Sequence, residues 1–240
     1  MRSGVLGASN IMRSLALSIT VLMLLSAACA FPKKGPVTSA DVAKLTAQEL
    51  VAKAKEASEL AQNAKDRDTQ RNWALHGISV AEQCLMRAPE EPGCYYYRAI
   101  NTGLYHEVKI VGYQTGVKRM IEDSETVIKL DPKYDHGGAY RILGQIYTKL
   151  PQTTGRPDSV TRDLDKAENY LRQAVRIAPD YPENHLFLAE ALFEKEKYAE
   201  AQSELTEAQE LAPRWKQDKS QNEWTLSMRD LSKKIDKKTK

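Results

Sequence analysis

Two stretches of the chain, AENYLRQAVRIAP (Ala167 to Pro179) and AQSELTEAQELAP (Ala201 to Pro213), restate one pattern 34 residues apart. The four positions that they share are Ala167 with Ala201, Leu171 with Leu205, Ala174 with Ala208, and Pro179 with Pro213. Small and apolar residues that recur at one interval predict structural repeats, each a supersecondary unit stacked on the next.

The repeat is typical of tetratricopeptide units, which are pairs of antiparallel helices with a 34-residue period. The clearest unit runs from Pro182 to Trp215. Alanine is expected where its two helices approach closely, because a larger side chain would force them apart. From Thr38 onward Ala, Leu, Glu, Lys and Gln dominate, which favours helix. The sequence therefore predicts an all-α fold of tetratricopeptide-like hairpins, stacked into a right-handed superhelix.

Two departures from the period predict insertions. Tyr147 and Ala167 are 20 residues apart, whereas the matching Leu192 and Ala201 are 9 apart, so PQTTGRPDSVTRD (151–163) is expected to be a loop. The second insertion is TGLYHEVKIVGYQTG (102–116). Both would overhang the same edge of the stack, and long loops in compact domains are often functional.

The first thirty residues are expected to be an export signal. Arg13 precedes SLALSITVLMLLSAACA (14–30), an apolar run that ends in small residues. A permanent membrane span needs about 20 apolar residues, which is more than this run offers. LSAAC resembles a bacterial lipobox, with Ser26 in place of the usual leucine, and would lipidate Cys29; cleavage before Phe31 is the alternative. Either alternative places the protein in the periplasm, and the outer membrane is favoured for the lipidated form.

The predicted domain organisation follows from these observations. It consists of an export signal at 1–30, a polar tether at 31–44, about four degenerate helix pairs at 45–213, and a C-terminal helix with a basic tail at 214–240. The helix within WKQDKSQNEWTLSMRDLSKKI would cap the stack or form an oligomer contact. Its apolar members are Trp224, Leu226, Met228, Leu231 and Ile235.

Two cysteines remain once Cys29 is set aside, and both alternatives for them stay open. Cys84 and Cys94 would form a disulfide in an oxidising compartment, which contributes roughly 2–3 kcal/mol. Otherwise they are two buried free thiols.

Charge and motifs argue against several classes of function. Without Arg2 and Arg13, 33 basic residues balance 32 acidic ones, so nothing favours nucleic acid as a partner. The histidines lack metal-ligand spacing, and no nucleophile elbow, P-loop or dinucleotide motif occurs. We expect no enzyme activity, no metal and no cofactor.

Three stretches carry a family resemblance: CYYYRAINTGLY (94–105), YDHGGAYRILGQIYTKLPQTTGRPDSV (134–160) and PDYPENHLFLAEALF (179–193). They resemble the T component of tetratricopeptide-associated TRAP transporters. The resemblance implies an all-helical periplasmic lipoprotein that binds the solute receptor of a TRAP transporter. It also implies a trimer with hydrophobic passages, and a lipidated cysteine, for which Cys29 is the candidate.

The partner groove is expected on the first helices of the pairs. A helical projection selects one face of each. The candidates are Tyr96, Ile100 and Leu104 in the second pair, Arg141, Gln145 and Lys149 in the third, and Leu186, Glu190 and Phe193 in the fourth. Arg141 and Lys149 would receive a carboxylate, unless both are ordinary solvated residues.

Two functional hypotheses follow. The first is a non-enzymatic accessory protein that docks a TRAP solute receptor and takes up a small hydrophobic or carboxylate ligand. The alternative is a lipoprotein scaffold for assembly of an envelope complex, such as a pilus or outer-membrane machinery.

Overall fold

The structure is a computed structural model that describes residues 44–216, 218 and 220–240. The expected export signal, Cys29 and all but the last residue of the expected tether lie outside the described residues. The described part contains helices and no strand. The helices are α1 (Ala47–Gln62), α2 (Arg67–Arg87), α3 (Pro92–Val108), α4 (Tyr113–Leu130), α5 (Tyr134–Lys149), α6 (Leu164–Ile177), α7 (Pro182–Glu194), α8 (Tyr198–Leu211), a 3₁₀ turn (Ala212–Trp215) and α9 (Gln221–Thr239).

Local sequence sets where several helices begin. The Thr46 hydroxyl accepts a hydrogen bond from the amide of Glu49, whose carboxylate accepts one from the backbone amide of Thr46, a capping box. Asp66 and Asp163 cap α2 and α6 with their carboxylates. Proline opens α3 and α7, where its missing N–H costs nothing.

The helices pack as consecutive antiparallel pairs, α1 with α2, α3 with α4, α5 with α6, and α7 with α8. The predicted stack of helix pairs is confirmed. The repeated alanines and leucines at 167, 171, 174, 201, 205 and 208 are all fully buried, as close helix approach requires.

Only one of the two predicted insertions is a loop. No helix covers residues 151–163, and Gln114 of α4 binds this segment through two hydrogen bonds to the backbone of Val160 (3.0 and 2.9 Å). The prediction for residues 102–116 was wrong, because only 109–112 lie outside a helix. The additional residues lengthen α3 and α4 instead.

The C-terminal helix closes the stack by packing on α7 and α8. Trp224, Met228, Leu231 and Ile235 join the core that α6, α7 and α8 build. Leu226 was predicted to join them but is exposed, because it lies on the opposite face of α9. In the described part of the chain, no helix has the length and apolar content that a membrane crossing needs.

Candidate functional site

The last turns of α5 and α7 face the middle of α9 across a cleft of about 250 Å³. First helices of two successive pairs and the capping helix thus line one surface. The lining residues are Thr148, Lys149, Glu190, Phe193, Glu194, Ser227, Asp230, Leu231 and Lys234.

Charges of both signs line the cleft, and most are paired. The Glu190 carboxylate accepts a hydrogen bond from Gln145 (3.2 Å) and forms an ion pair with Lys149 (3.0 Å). Glu194 pairs with Arg162 of the 151–163 loop at 3.2 Å. Lys234 is exposed and has no ion pair among the described residues. Its ammonium is therefore free to receive a carboxylate from a partner.

Sequence reasoning found part of this site. Lys149, Glu190 and Phe193 line the cleft, and Gln145 borders it through Glu190. The projection does not include α9, because its sequence predicts a capping helix through its apolar face alone. Treating α9 as the first helix of a further pair would have pointed to Asp230 and Lys234.

Four predicted groove residues belong to the core instead. Tyr96, Leu104 and Leu186 are buried, and Ile100 packs between two apolar clusters. The side chains that the projection directed at a groove are directed at the neighbouring helix pair, because successive pairs pack closely here.

Arg141 was also assigned to the open groove, and the structure corrects this. Its guanidinium is buried and forms ion pairs with Asp135 (2.8 Å) and Glu183 (3.0 Å). It also donates to Asn184 (3.1 Å) and covers the ring of Tyr181 at 4.6 Å. Arg141 therefore has no free donor face for a ligand and links α5 to α7.

A turn of unusual backbone supplies two of the partners of Arg141, the Asp135 carboxylate and the His136 carbonyl. Asp135, His136 and Gly137 have φ values of 48°, 57° and 79°, in the left-handed region. Such a conformation costs about 1–2 kcal/mol for each residue with a side chain. The turn places the Asp135 carboxylate and the His136 carbonyl within 3.0 Å of the Arg141 guanidinium. These charge-assisted bonds offset the strain.

Outside the Arg141 cluster, Glu168 and His185 have pKa values shifted from their ordinary values. Desolvation raises the pKa of Glu168, but hydrogen bonds from Lys195, Arg172 and Lys197 outweigh it and lower the pKa to about 2. Desolvation lowers the pKa of His185, but Glu204 and the carbonyl of Pro179 outweigh it, so the pKa is raised. These clusters join α6, α7 and α8 and lie apart from the cleft lining.

The two cysteines of the repeat region come together in the structure. The Sγ atoms of Cys84 and Cys94 are 1.99 Å apart, and the pair joins the last turn of α2 to the first turn of α3. Both residues are fully buried. Among the described residues, no group of three or more His, Cys, Asp or Glu is arranged to hold a metal ion.

Comparison with known proteins agrees with the stack of helix pairs. Residues 161–217 match the family model described as tetratricopeptide repeat. A thermophilic tetratricopeptide-repeat protein of Thermus thermophilus is similar in structure, with a TM-score of 0.52 and 16% identity over 78% of this chain and 98% of that chain. The fold is of the tetratricopeptide-repeat type. Repeats of this type indicate a scaffold for protein–protein interaction and are generally not enzymes.

Other comparisons show weaker or no similarity. MamA of Desulfovibrio magneticus RS-1 gives a TM-score of 0.44 at 15% identity, over 78% of this chain and 93% of that chain. No curated protein matches this chain.

Proposed function

We propose that this chain is a non-enzymatic, exported accessory protein that uses the α5–α7–α9 cleft to bind the solute receptor of a TRAP-type transporter. The proposal includes the export signal at 1–30, a lipid anchor on Cys29, the tether at 31–44 and a trimeric assembly. The receptor as partner comes from the family resemblance of residues 94–105, 134–160 and 179–193. The use of the cleft comes from its geometry and charge.

The polarity of the cleft carries the proposal. Small-molecule sites usually measure about 300–1,000 Å³ and are mostly apolar. This cleft is smaller, and only Phe193 and Leu231 among its lining residues are apolar. A protein surface with a few charged side chains suits such a lining better than a hydrophobic solute does. Phe193 supplies an apolar contact in the cleft, and Lys234 supplies a free cation. Protein interfaces commonly combine an apolar anchor residue with a polar rim in this way.

The binding test uses the purified mature chain and the TRAP solute receptor encoded in the same genome. We expect measurable binding, and a loss of about tenfold in affinity for Phe193→Ala and for Lys234→Glu. Lys129→Glu is the matched control, because Lys129 is exposed on α4 and lies outside the cleft lining. Absence of binding by the wild-type chain, or an equal loss in the control, contradicts the proposal.

The lipid anchor on Cys29 and the trimeric assembly are tested by separate measurements. Mass spectrometry of the protein extracted from membranes should find Cys29 acylated at the N-terminus. Light scattering of the soluble chain should give three times the mass of one copy. A mature chain that begins at Phe31 would replace the anchor with simple secretion, without affecting the receptor proposal.

A further inference from the structure

The turn between α3 and α4 exposes two adjacent aliphatic side chains. Ile110 is 72% exposed and Val111 is 81% exposed. No other two consecutive residues of the described chain are both large, apolar and exposed to this degree. Single exposed apolar residues are ordinary, whereas this adjacent pair forms a small continuous apolar surface at the tip of a turn.

The backbone holds this pair outward. The amide of Tyr113 donates to the carbonyl of Ile110 at 3.1 Å, which closes a four-residue turn around Val111 and Gly112. Gly112 has a φ of 79°, which residues with side chains rarely adopt. The two aliphatic side chains therefore project from a fixed turn, and do not form a flat patch or a groove.

Basic and aromatic side chains surround the tip. Lys109 is exposed, and its ammonium lies 5.4 Å from the centre of the Tyr105 ring. Arg67 of α2 donates to the carbonyl of Val108 at 2.8 Å, so its charge lies beside the turn. Acidic residues also lie nearby: Glu107 accepts a hydrogen bond from Gln70 at 2.9 Å, Asp66 caps α2, and Asp68 forms an ion pair with Arg71 at 3.1 Å.

We infer that the tip, defined as Lys109, Ile110 and Val111, inserts into the surface of a lipid bilayer that carries anionic lipids. A protruding aliphatic pair fits hydrocarbon without a matching pocket, whereas a protein partner would have to supply one. Lysine and tyrosine beside an aliphatic segment are the usual composition at a membrane interface. The exposed ammonium of Lys109 complements anionic headgroups, which adds to the attraction.

The tether of the proposed function makes such a bilayer accessible. From Cys29 to Lys44 the chain can extend about 50 Å. The helix α1, which follows, is about 24 Å long, so the tether can reach past it to the edge where the α3–α4 turn lies. Anchoring also raises the local lipid concentration, so weak insertion is sufficient. The inference uses the proposed anchor only for this reach, and is independent of the receptor as partner.

The experiment measures partitioning of residues 36–240 into vesicles by sedimentation. Residues Pro36–Lys240 form one compact unit that contains every described helix. Vesicles of phosphatidylcholine alone are compared with vesicles containing a quarter phosphatidylglycerol. We expect the wild type to prefer the anionic vesicles, and Ile110→Ser/Val111→Ser to lower the partition coefficient at least tenfold. Lys109→Gln should lower it about fivefold on anionic vesicles and leave it unchanged on neutral ones.

The matched control is Met86→Ser/Leu226→Ser, which removes two exposed apolar side chains elsewhere, 71% and 51% exposed. Its partition coefficient should stay within twofold of the wild type, and circular dichroism should show all variants folded. The inference is overturned if the wild type does not partition, or if the tip variant partitions as well as the wild type. A third outcome also overturns it: Ile110→Ser/Val111→Ser still binds vesicles but loses self-association or receptor binding in an assay without lipid. The tip would then contact protein and not lipid. Receptor binding by the cleft is scored in that lipid-free assay, so the two proposals fail separately.

Discussion

At the scale of single residues, Arg141 and its partner Asp135 link three successive helix pairs. Its guanidinium joins the turn at Asp135 to Glu183 and Asn184 of the next helix pair. Asp135 in turn accepts a hydrogen bond from the Tyr96 hydroxyl of the preceding pair. Burial raises the pKa of Glu183, while the neighbouring Arg141 opposes the shift. The cluster is stable only while the cation and its carboxylates are present together.

Removing the Arg141 guanidinium should lower the free energy of unfolding. Arg141→Met leaves Asp135 and Glu183 without their cation. Because these carboxylates are 34% and 20% exposed, we expect a loss of about 2–3 kcal/mol in the free energy of unfolding, measured with urea, which is less than a fully buried pair would cost. Lys149→Met, at the exposed ion pair with Glu190, should change it by less than about 1 kcal/mol. Equal losses for the two variants would mean that the Arg141 cluster contributes no more than a surface ion pair.

His185 should make stability depend on pH near neutrality. Its two ring nitrogens face the Glu204 carboxylate (2.7 Å) and the Pro179 carbonyl (2.8 Å), so both must donate, which requires the protonated ring. Glu207 adds a second negative charge nearby, and the pKa is raised above the ordinary 6.5. The stabilisation is therefore complete below about pH 6.5 and is lost as pH rises through the folded-state pKa.

The measurement is urea unfolding between pH 5.5 and 9, with the imidazole followed by NMR. His185→Gln should flatten the fall in stability over this range, because the titrating group is gone. Glu204→Gln should lower the imidazole pKa and move the fall to lower pH. A wild-type imidazole that titrates at or below 6.5 would contradict the assignment.

At the scale of helices, Gly144 decides how closely α5 and α6 pack. A methyl group at this position would overlap the side chain of Leu171, which is fully buried. Helix propensity alone predicts that Gly144→Ala stabilises the protein by about 1 kcal/mol. We expect the opposite sign, a loss of about 1–3 kcal/mol, because overpacking outweighs propensity.

A double-mutant cycle separates the two effects. Gly144→Ala in a Leu171→Ala background should cost less than in the wild type, since the smaller side chain leaves room for the methyl group. The free energies of unfolding of the four proteins give the coupling directly. Additive losses would show that the two residues do not compete for space.

The repeat pattern was sufficient to predict where helices contact each other, but not where every helix ends. Buried alanines at a fixed interval report helix–helix contact, so Ala174 and Ala208 were placed correctly. Length alone does not distinguish a loop from longer helices, so the prediction for residues 102–116 was wrong. Pro151, Gly155 and Pro157 identified the other insertion, because these residues do not continue a helix.

The candidate site was predicted less completely for a physical reason. A helical projection gives the direction of a side chain along its own helix, but it does not say how near the next pair packs. Lys149 and Glu190 lie at the last turns, where α5 and α7 leave a cleft. Arg141 lies where the neighbouring pair closes over it, and its partner Glu183 is 42 residues away in sequence. Its other partner depends on a left-handed turn that no local pattern indicated.

At the scale of the whole described stack, the end of the chain completes the largest core. Trp224, Met228, Leu231 and Ile235 fill the face that α7 and α8 would otherwise expose to water. The indole of Trp224 also donates to Glu183 at 3.1 Å, which ties the capping helix to the Arg141 cluster. The same helix supplies Asp230 and Lys234 to the cleft. Stability of the last pair and partner binding therefore depend on one element.

Truncation tests this dependence. A chain that ends at Lys216 loses the four buried side chains, each worth about 1.5–3 kcal/mol, or about 6–12 kcal/mol together. That sum is comparable to the total stability of a typical domain, so α7 and α8 should unfold or the protein should aggregate. Ending the chain at Asp236 removes only exposed residues and should leave the thermal midpoint within about 2 °C. Thermal unfolding and amide hydrogen exchange of the two truncated chains provide the comparison. A Lys216 chain that stays monomeric and protects the amides of α8 would mean that the fourth pair is stable without a cap.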